Sequence, residues 1–405
     1  MLLLLVTFFF GIIVLIFYFK LLGLSFEYLT LKWFLNLLVC MEKCKRVVRP
    51  KRKEISVQLH CINEWFKIYV KPDLVQCQTP EQLVKQTRQS RSNLLKYGHN
   101  LKHSTHLIQK QATIVTKNNQ SKPGHQILWI YPLAVFKNLS DSSQDTVVLS
   151  FHGGAFLSGS MKSCVPYMYH LCNSMNAIVK YFFLLIFWNL TGVSFEYKLS
   201  PEHLLDEIVA DTVQFYQDFI AHYQQFKNIV LVGDSAGATL IILLTLQLLK
   251  LNEGGGSIKL PICLIGMSCW DVPCVGNSYL VNDKNDAFLD SRFCRMSRDI
   301  CLIGKKTTLN AVDFSYLKIL EKDKTLCKNF PPLFLSYSEF ECLADDTTRL
   351  YEILKPFKQI GKDLVCHQTP NNGFHVLELF SDFIPEGKKL IEMESAFALG
   401  CIKSD

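Results

Sequence analysis

Four short blocks of this sequence hold residue types that together could carry out acyl transfer through a serine nucleophile. The first is Gly233-Asp234-Ser235-Ala236-Gly237, which directly follows the apolar run NIVLV (228–232) and directly precedes an apolar helical pattern over 237–251. A strand that turns straight into a helix doubles back at the junction, and small neighbours leave room for that turn. Ser235 then stands at a helix N-terminus, where the dipole and free N–H groups favour developing negative charge. The bare spacing is a weak signal, compatible with a glycine-bounded strand end that does no chemistry. Strand before and helix after make it specific.

The second block, HGGAFLSGS (152–160), follows the run TVVLSF (146–151). Glycines let a backbone turn several amides toward one substrate oxygen. Gly153, Gly154 and Ala155, with the Ala236 amide, are therefore candidate oxyanion-hole donors. An alanine amide donates as well as a glycine amide where its backbone angles are allowed. His152 is read as support for the loop rather than as a base. A serine nucleophile also needs a base and an orienting acid, in chain order serine, acid, histidine for a strand–turn–helix elbow. Two histidines follow Ser235: His367, which ends a strand pattern, and His375, in the turn Asn371-Asn372-Gly373-Phe374-His375. A loop after the last strand can deliver imidazole to the serine, so His375 is the preferred base. The loop after LFLSY (333–337) reads SEFECLADD (338–346). Glu341 has the reach of a loop acid, whereas Asp345 and Asp346 stand where the next helix begins and suit capping. Glu341 is the candidate acid and Asp345 its reserve.

These blocks need elements to position them. Short apolar, β-rich runs occur at 146–151, 228–232, 260–266, 333–337 and 364–367, several of them continuous, as in strands covered on both faces. Helix-length segments lie between them at 205–222, 237–251 and 345–360, the last followed by Gly361 as a C-cap. This alternation predicts an α/β fold over 126–395, with a mostly parallel central sheet flanked by helices. The preceding stretch, 21–125, is read as a juxtamembrane and helical N-terminal or cap region, with helices at Glu64 to Val70 and Pro80 to Tyr97. One segment looks foreign: KYFFLLIFWNLTG (180–192), whose apolar part of about ten residues is too short to span a bilayer. A strand extension, a lid over a lipid site and joined sequence that is normally removed are the three accounts of it.

With 49% hydrophobic and 20% charged residues, the 405-residue chain can bury a large core, and disorder, collagen and coiled coil are excluded. Of the net charge of +7, a surplus of +6 falls between Met41 and Lys53, so no basic face for nucleic acid spans a folded domain. Residues 2–19, LLLLVTFFFGIIVLIFYF, carry no charge. As a helix they are about 27 Å long against a bilayer core of ~30 Å. No basic region precedes the run and no small-residue cleavage site follows it, so a retained anchor within 1–20 is expected rather than a cleaved signal peptide. The basic stretch at 43–53 favours a cytoplasmic flank, whereas sequons at Asn119, Asn138 and Asn189 matter only on the lumenal side. Fifteen cysteines show no C-x-x-C pair and no zinc-ligand spacing, and are expected to be small buried hydrophobes.

Taken together, the blocks HGGAFLSGS, FEYKLSPEH (195–203), GDSAG, and EFECLADD with NNGFH resemble those of the hormone-sensitive-lipase-like serine esterases, and within them the arylacetamide deacetylase group. The likeness runs from about 140 to 380. It implies an α/β-hydrolase fold, Ser235 as nucleophile, His375 as base and Glu341 as acid. It further implies an endoplasmic-reticulum protein with a single N-terminal span and a lumenal catalytic domain, hydrolysing esters or arylacetamides of small apolar or lipid type without a cofactor or metal. Ala155 stands where the family has glycine, Glu341 where it has aspartate, and Ala344 where it has arginine. Those departures define a rival of another class, a catalytically impaired ligand-binding or scaffold protein on the same fold.

Overall fold

In the computed structural model, which describes residues 58–59, 62–63, 77–97, 107–114, 124–132, 145–182, 191–304, 307–369 and 373–403, the apolar runs form five strands of one eight-stranded sheet. Its strands are β1 (Leu107–Ile114), β2 (His125–Pro132), β3 (Thr146–Phe151), β4 (Thr191–Phe195), β5 (Asn228–Asp234), β6 (Cys263–Met267), β7 (Leu333–Tyr337) and β8 (Leu364–Gln368). Their spatial order is β1-β2-β4-β3-β5-β6-β7-β8. Both ladders of β2, with β1 and with β4, are antiparallel, and all the others are parallel. The helices used below are α1 (Pro80–Tyr97), α2 (Val165–Phe182), α3 (Leu205–His222), α4 (Ala236–Glu253), α5 (Ser278–Val281), α6 (Ser291–Leu302), α7 (Tyr316–Lys322), α8 (Lys324–Asn329), α9 (Ala344–Leu354) and α10 (Pro385–Ile402).

Both faces of the sheet are covered, which is why its inner strands read as unbroken apolar runs. Val147, Leu149, Leu231, Leu264 and Leu335 point into one core with α3 and α4. Their alternates Val148, Val230, Val232, Ile265 and Phe334 point into a second core with α2 and α10. Helix α3 buries Leu205, Ile208, Val209, Thr212, Phe215, Tyr216 and Phe219, a stripe at helical spacing. Phe215 stacks on Phe195 of β4 with ring centres 3.8 Å apart. Helix α4 is apolar all round because it is buried nearly all round.

Three expectations are corrected. The region read as helical up to residue 125 contains helix α1 but also strand β1, whose sequence LIQKQATI lacks a continuous apolar run because Lys110, Gln111 and Thr113 are exposed. The helix expected over 345–360 stops at Leu354, since Pro356 lacks the N–H an α-helix needs, and Lys355–Phe357 form a 3₁₀ turn. Gly361, with φ 83°, therefore caps no helix but turns the chain into β8, its N–H donating to the Leu364 carbonyl (2.9 Å). At the segment 180–192, helix α2 runs through Phe182, and Gly192 lies in β4 opposite Ile130 and Val148. Residues 183–190 lie outside the described residues, as do residues 1–57, the helix expected over 64–70 and the asparagines of all three sequons.

The register places the carboxyl ends of the strands level with one another. Phe151 lies opposite Gly233, Gly233 opposite Gly266, and Met267 opposite Ser336. The loops carrying blocks 152–160, 233–237 and 338–346 thus leave the sheet along one edge, where open α/β sheets present ligand sites. The tightest point on that edge is Gly237, where an added Cβ would lie 2.0 Å from the Phe151 carbonyl oxygen. Backbone cannot give way as a side chain can, so Gly237→Ala is expected to destabilise by at least about 3 kcal/mol. Gly254→Ala, where the nearest atom is 3.5 Å away, is expected to be near neutral. Urea unfolding midpoints of the two variants check the contrast.

Candidate active site

Strand β5 ends at Asp234 and α4 begins at Ala236, leaving Ser235 alone at the turn with φ 53° and ψ −119°. Such a backbone conformation costs a non-glycine residue about 1–3 kcal/mol. Steric closure enforces it: a Cβ on Gly233 would lie 2.4 Å from the carbonyl carbon and oxygen of Gly237. The Ser235 N–H donates to the Met267 carbonyl at the end of β6 (2.8 Å).

The neighbouring loop is fastened to this elbow by Asp234. Its Oδ1 accepts the Gly153 N–H (2.9 Å) and the Cys164 thiol (3.3 Å). Burial pushes the Asp234 carboxyl up, and those donors oppose the shift. Gly153 was expected among the oxyanion donors, but its N–H is already committed to Asp234, so it anchors the loop. The amides of Gly154, Ala155 and Ala236 have no acceptor among the described residues. Gly154 has φ 109°, and its carbonyl accepts the N–H groups of Leu157 and Ser158 (both 2.9 Å), closing a tight turn. Ala155 has φ 55°, the left-handed region, where alanine costs about 1–2 kcal/mol relative to glycine.

His152 is fully buried. Its Nδ1–H donates to the Gly153 carbonyl (2.7 Å), and its ring stacks on Tyr197 at 4.2 Å. The Tyr197 hydroxyl donates to the His152 carbonyl (2.5 Å), and the Ser200 N–H to that of Phe156 (2.9 Å). Block 195–203 is in this way the mould for the glycine loop.

The acid and the histidine meet on the same edge. His375 Nδ1–H donates to Glu341 Oε2 at 2.7 Å, with both residues buried. Glu341 Oε1 accepts the Ser338 N–H (3.0 Å), and the Ser338 hydroxyl donates to the Gly373 carbonyl (2.7 Å), so one serine ties the acid loop to the histidine loop. Burial alone would lower the His375 pKa. The bond to Glu341 and its charge, helped by Asp286 and Asp234, outweigh burial and raise it above the ordinary value. With Nδ1 donating to a carboxylate, Nε2 is the basic nitrogen. Two consecutive positions at the end of β6 connect histidine and serine: Met267 accepts the Ser235 N–H, and the Ser268 hydroxyl accepts the Val376 N–H (3.2 Å). The charges of Asp234 and His375 interact across this gap.

The reserve acid Asp345 lies elsewhere: its Oδ2 accepts the Ser278 N–H of α5 (2.9 Å). Asp346 Oδ2 accepts the Asp271 N–H (2.9 Å) and the Tyr279 hydroxyl (2.6 Å). His367 is a strand residue of β8 paired with Ser336. Two further residues support the acid and the histidine, and a third lies buried near them, none of them singled out by the sequence. Asn282 Nδ2 donates to the carbonyls of Glu339 (2.7 Å) and Glu341 (3.0 Å). Asp286 Oδ2 accepts the Cys342 N–H (2.8 Å), while its Oδ1 accepts those of Phe288 and Leu289. Only this last local turn is a signal that sequence carries. Glu378, three residues past His375, is buried, and its carboxyl is pushed up to about 7, first by burial and further by the charge of Glu341.

Two outcomes follow from these charges. Glu341→Gln removes the carboxylate that holds the proton on His375. It is expected to cut kcat by about 10³–10⁴ and to move the acid limb of the kcat/KM profile to lower pH. An unmoved limb in pH–rate measurements on a chromogenic ester would contradict the assignment. Glu378 favours its neutral form in the fold, so its contribution to stability is present below its ordinary pKa of 4.5 and is lost as pH rises through about 7. Glu378→Gln keeps the neutral form at every pH. The variant is expected to match the parent near pH 4 and exceed it near pH 8.5 by on the order of 3 kcal/mol in urea unfolding.

Comparison with known proteins places this arrangement. A family model described as the alpha/beta hydrolase fold matches residues 148–377, more than half of the chain. An acetyl-hydrolase of Streptomyces hygroscopicus is 25% identical over 251 residues, covering 62% of this chain and 74% of that protein. An esterase of Acinetobacter venetianus is 26% identical over 267 residues, covering 64% and 76%. The crystal structure of an esterase from the bacterial hormone-sensitive lipase family superposes with a TM-score of 0.62 at 21% identity, covering 85% of this chain and 97% of that one. The match spans the serine elbow, the acid loop and the histidine loop, and the chain belongs to the alpha/beta hydrolase fold family.

Proposed function

We propose that this protein is a serine hydrolase of carboxyl esters, working through an acyl-enzyme on Ser235. The observation that carries the proposal is the buried 2.7 Å bond between His375 and Glu341, on loops that share the β6 end with the serine elbow. In the first half-reaction His375 Nε2 takes the Ser235 hydroxyl proton as Oγ attacks the acyl carbon. The oxyanion settles on the amides of Gly154, Ala155 and Ala236, each such donor being worth about 10²–10³ in kcat. The imidazolium, stabilised by Glu341, then gives its proton to the departing alkoxide. In the second half-reaction water loses a proton to His375 and attacks the acyl-enzyme, releasing the acid and restoring Ser235. No group beyond the chain's own residues is required.

Relatives named esterase and acetyl-hydrolase support the ester substrate. The likeness of the motif blocks to arylacetamide deacetylases extends the leaving groups to aromatic amines. The uncharged run at 2–19 supports anchoring in a membrane, that of the endoplasmic reticulum by the same likeness. The sequons favour a lumenal catalytic domain, against the basic stretch at 43–53.

Binding without turnover is the second reading, and the left-handed Ala155 in the oxyanion loop is the observation that favours it. A fluorophosphonate probe decides between them. It is expected to label the wild-type protein and to leave Ser235→Ala unlabelled, with His375→Ala labelled at least 100-fold more slowly. Equal labelling of wild type and Ser235→Ala would overturn the hydrolase reading.

A further inference from the structure

The segment Val275 to Asn282, between β6 and α6, has two unlike sides. Its inward groups are bound to the acid loop and the start of α9. Besides the bond from its N–H to Asp345, Ser278 donates its hydroxyl to the Cys342 carbonyl (2.6 Å). Tyr279 is held on Asp346 (2.6 Å), and Asn282 on the carbonyls of Glu339 and Glu341. Gly276 fits so closely against Asp345 that a Cβ there would lie 2.7 Å from the Asp345 Cβ. Its other side is apolar and open: Val275, Leu280 and Val281 are 61%, 68% and 57% exposed. These are the three most exposed large apolar residues among the described residues, and they fall within seven positions of one another. Single exposed aliphatics need no explanation, but three within one short segment that is hydrogen-bonded to the acid loop suit a contact surface.

What that surface meets is indicated by where the N-terminal chain arrives. Leu59 and Ile62 pack in a cluster with Ala287, Phe374 and Leu377, so the polypeptide from the anchor side joins the domain between the histidine loop and the residue six positions past Val281. Between the apolar run ending at Phe19 and residue 58 lie 38 residues. Fully extended they reach about 125 Å, so the tether leaves this face free to lie on the bilayer. Tethering also raises the effective concentration of a weak contact. Lys284, exposed just past the patch, suits phosphate headgroups, while the adjacent Asp283 is engaged with the Ser291 N–H (2.7 Å).

We infer that Val275, Leu280 and Val281 dock the catalytic domain onto the surface of the bilayer that holds its own anchor, turning the face that carries the acid and histidine loops toward the lipid. The inference rests on the anchored-hydrolase reading and narrows its substrates to apolar esters dissolved in that bilayer. The test uses the full chain in vesicles of phosphatidylcholine with phosphatidylserine, supplied with soluble p-nitrophenyl acetate or bilayer-dissolved p-nitrophenyl palmitate. For Leu280→Asp/Val281→Asp, acetate turnover is expected within twofold of wild type, and palmitate turnover is expected to fall at least tenfold. Leu251→Asp, an exposed aliphatic on α4, is expected to change neither. Equal effects on both esters, or none on either, would overturn the inference. A variant that changes only the oligomeric mass would assign the patch to a second copy and also overturn it. Independently of activity, a tryptophan at Leu280→Trp is expected to be quenched by brominated acyl chains at least twofold more than one at Leu251→Trp, and equal quenching would contradict docking. If wild type turned over neither ester, the hydrolase reading would fail, while the quenching comparison would still decide the docking.

Discussion

The structure depends on one steric constraint, the absence of room for side chains where β5 reverses into α4. Gly233 and Gly237 face each other across the turn, and Gly237 lies against the Phe151 carbonyl of the neighbouring strand. Those contacts hold Ser235 at φ 53°, a conformation that local preference opposes by a few kcal/mol and that the surrounding packing enforces. They also bring the glycine loop beside the elbow, since the residue following Phe151 begins that loop. The Asp234 carboxylate then fastens the two through the Gly153 N–H. Everything else at the site is arranged relative to this fixed serine.

Charge is the second organising term. A buried histidine ordinarily loses its proton readily, because the low-dielectric interior penalises the charged form. At His375 that penalty is overcome by a carboxylate at bonding distance and by two more carboxylates, Asp286 and Asp234, whose fields add to it. In the proposed acyl transfer this direction matters, because the imidazolium must be stabilised without a solvent shell. Glutamate in place of aspartate does not break the contact. The acid loop accommodates the longer side chain and holds its other oxygen on the Ser338 N–H.

The parts legible in the sequence were those written in local patterns. Strands β3 and β7 and helices α1 and α3 have the bounds that apolar periodicity suggests, and loop placement after strands picks out both Glu341 and His375, which the structure joins by a hydrogen bond. Strand β1 was missed because its pairing with β2, rather than its composition, makes it a strand. Gly153 was given the wrong task because the Asp234 oxygen that takes its N–H comes from 81 residues away. Asn282, Asp286 and Glu378 went unnoticed for the same reason. Their effect on the acid and the histidine exists only once the chain between β6 and α6 lies over the acid loop and α10 covers the sheet. Sequence spacing shows which groups can react, and folding decides which groups hold them.

Ser235, served by His375 and Glu341, is expected to become covalently acylated during turnover. The most direct test is rapid acid quenching of the protein with p-nitrophenyl acetate, followed by peptide mass spectrometry. An acetyl group is expected on the Ser235 peptide, accumulating in step with an initial burst of p-nitrophenol. Steady ester hydrolysis with no acyl group on Ser235 would contradict it.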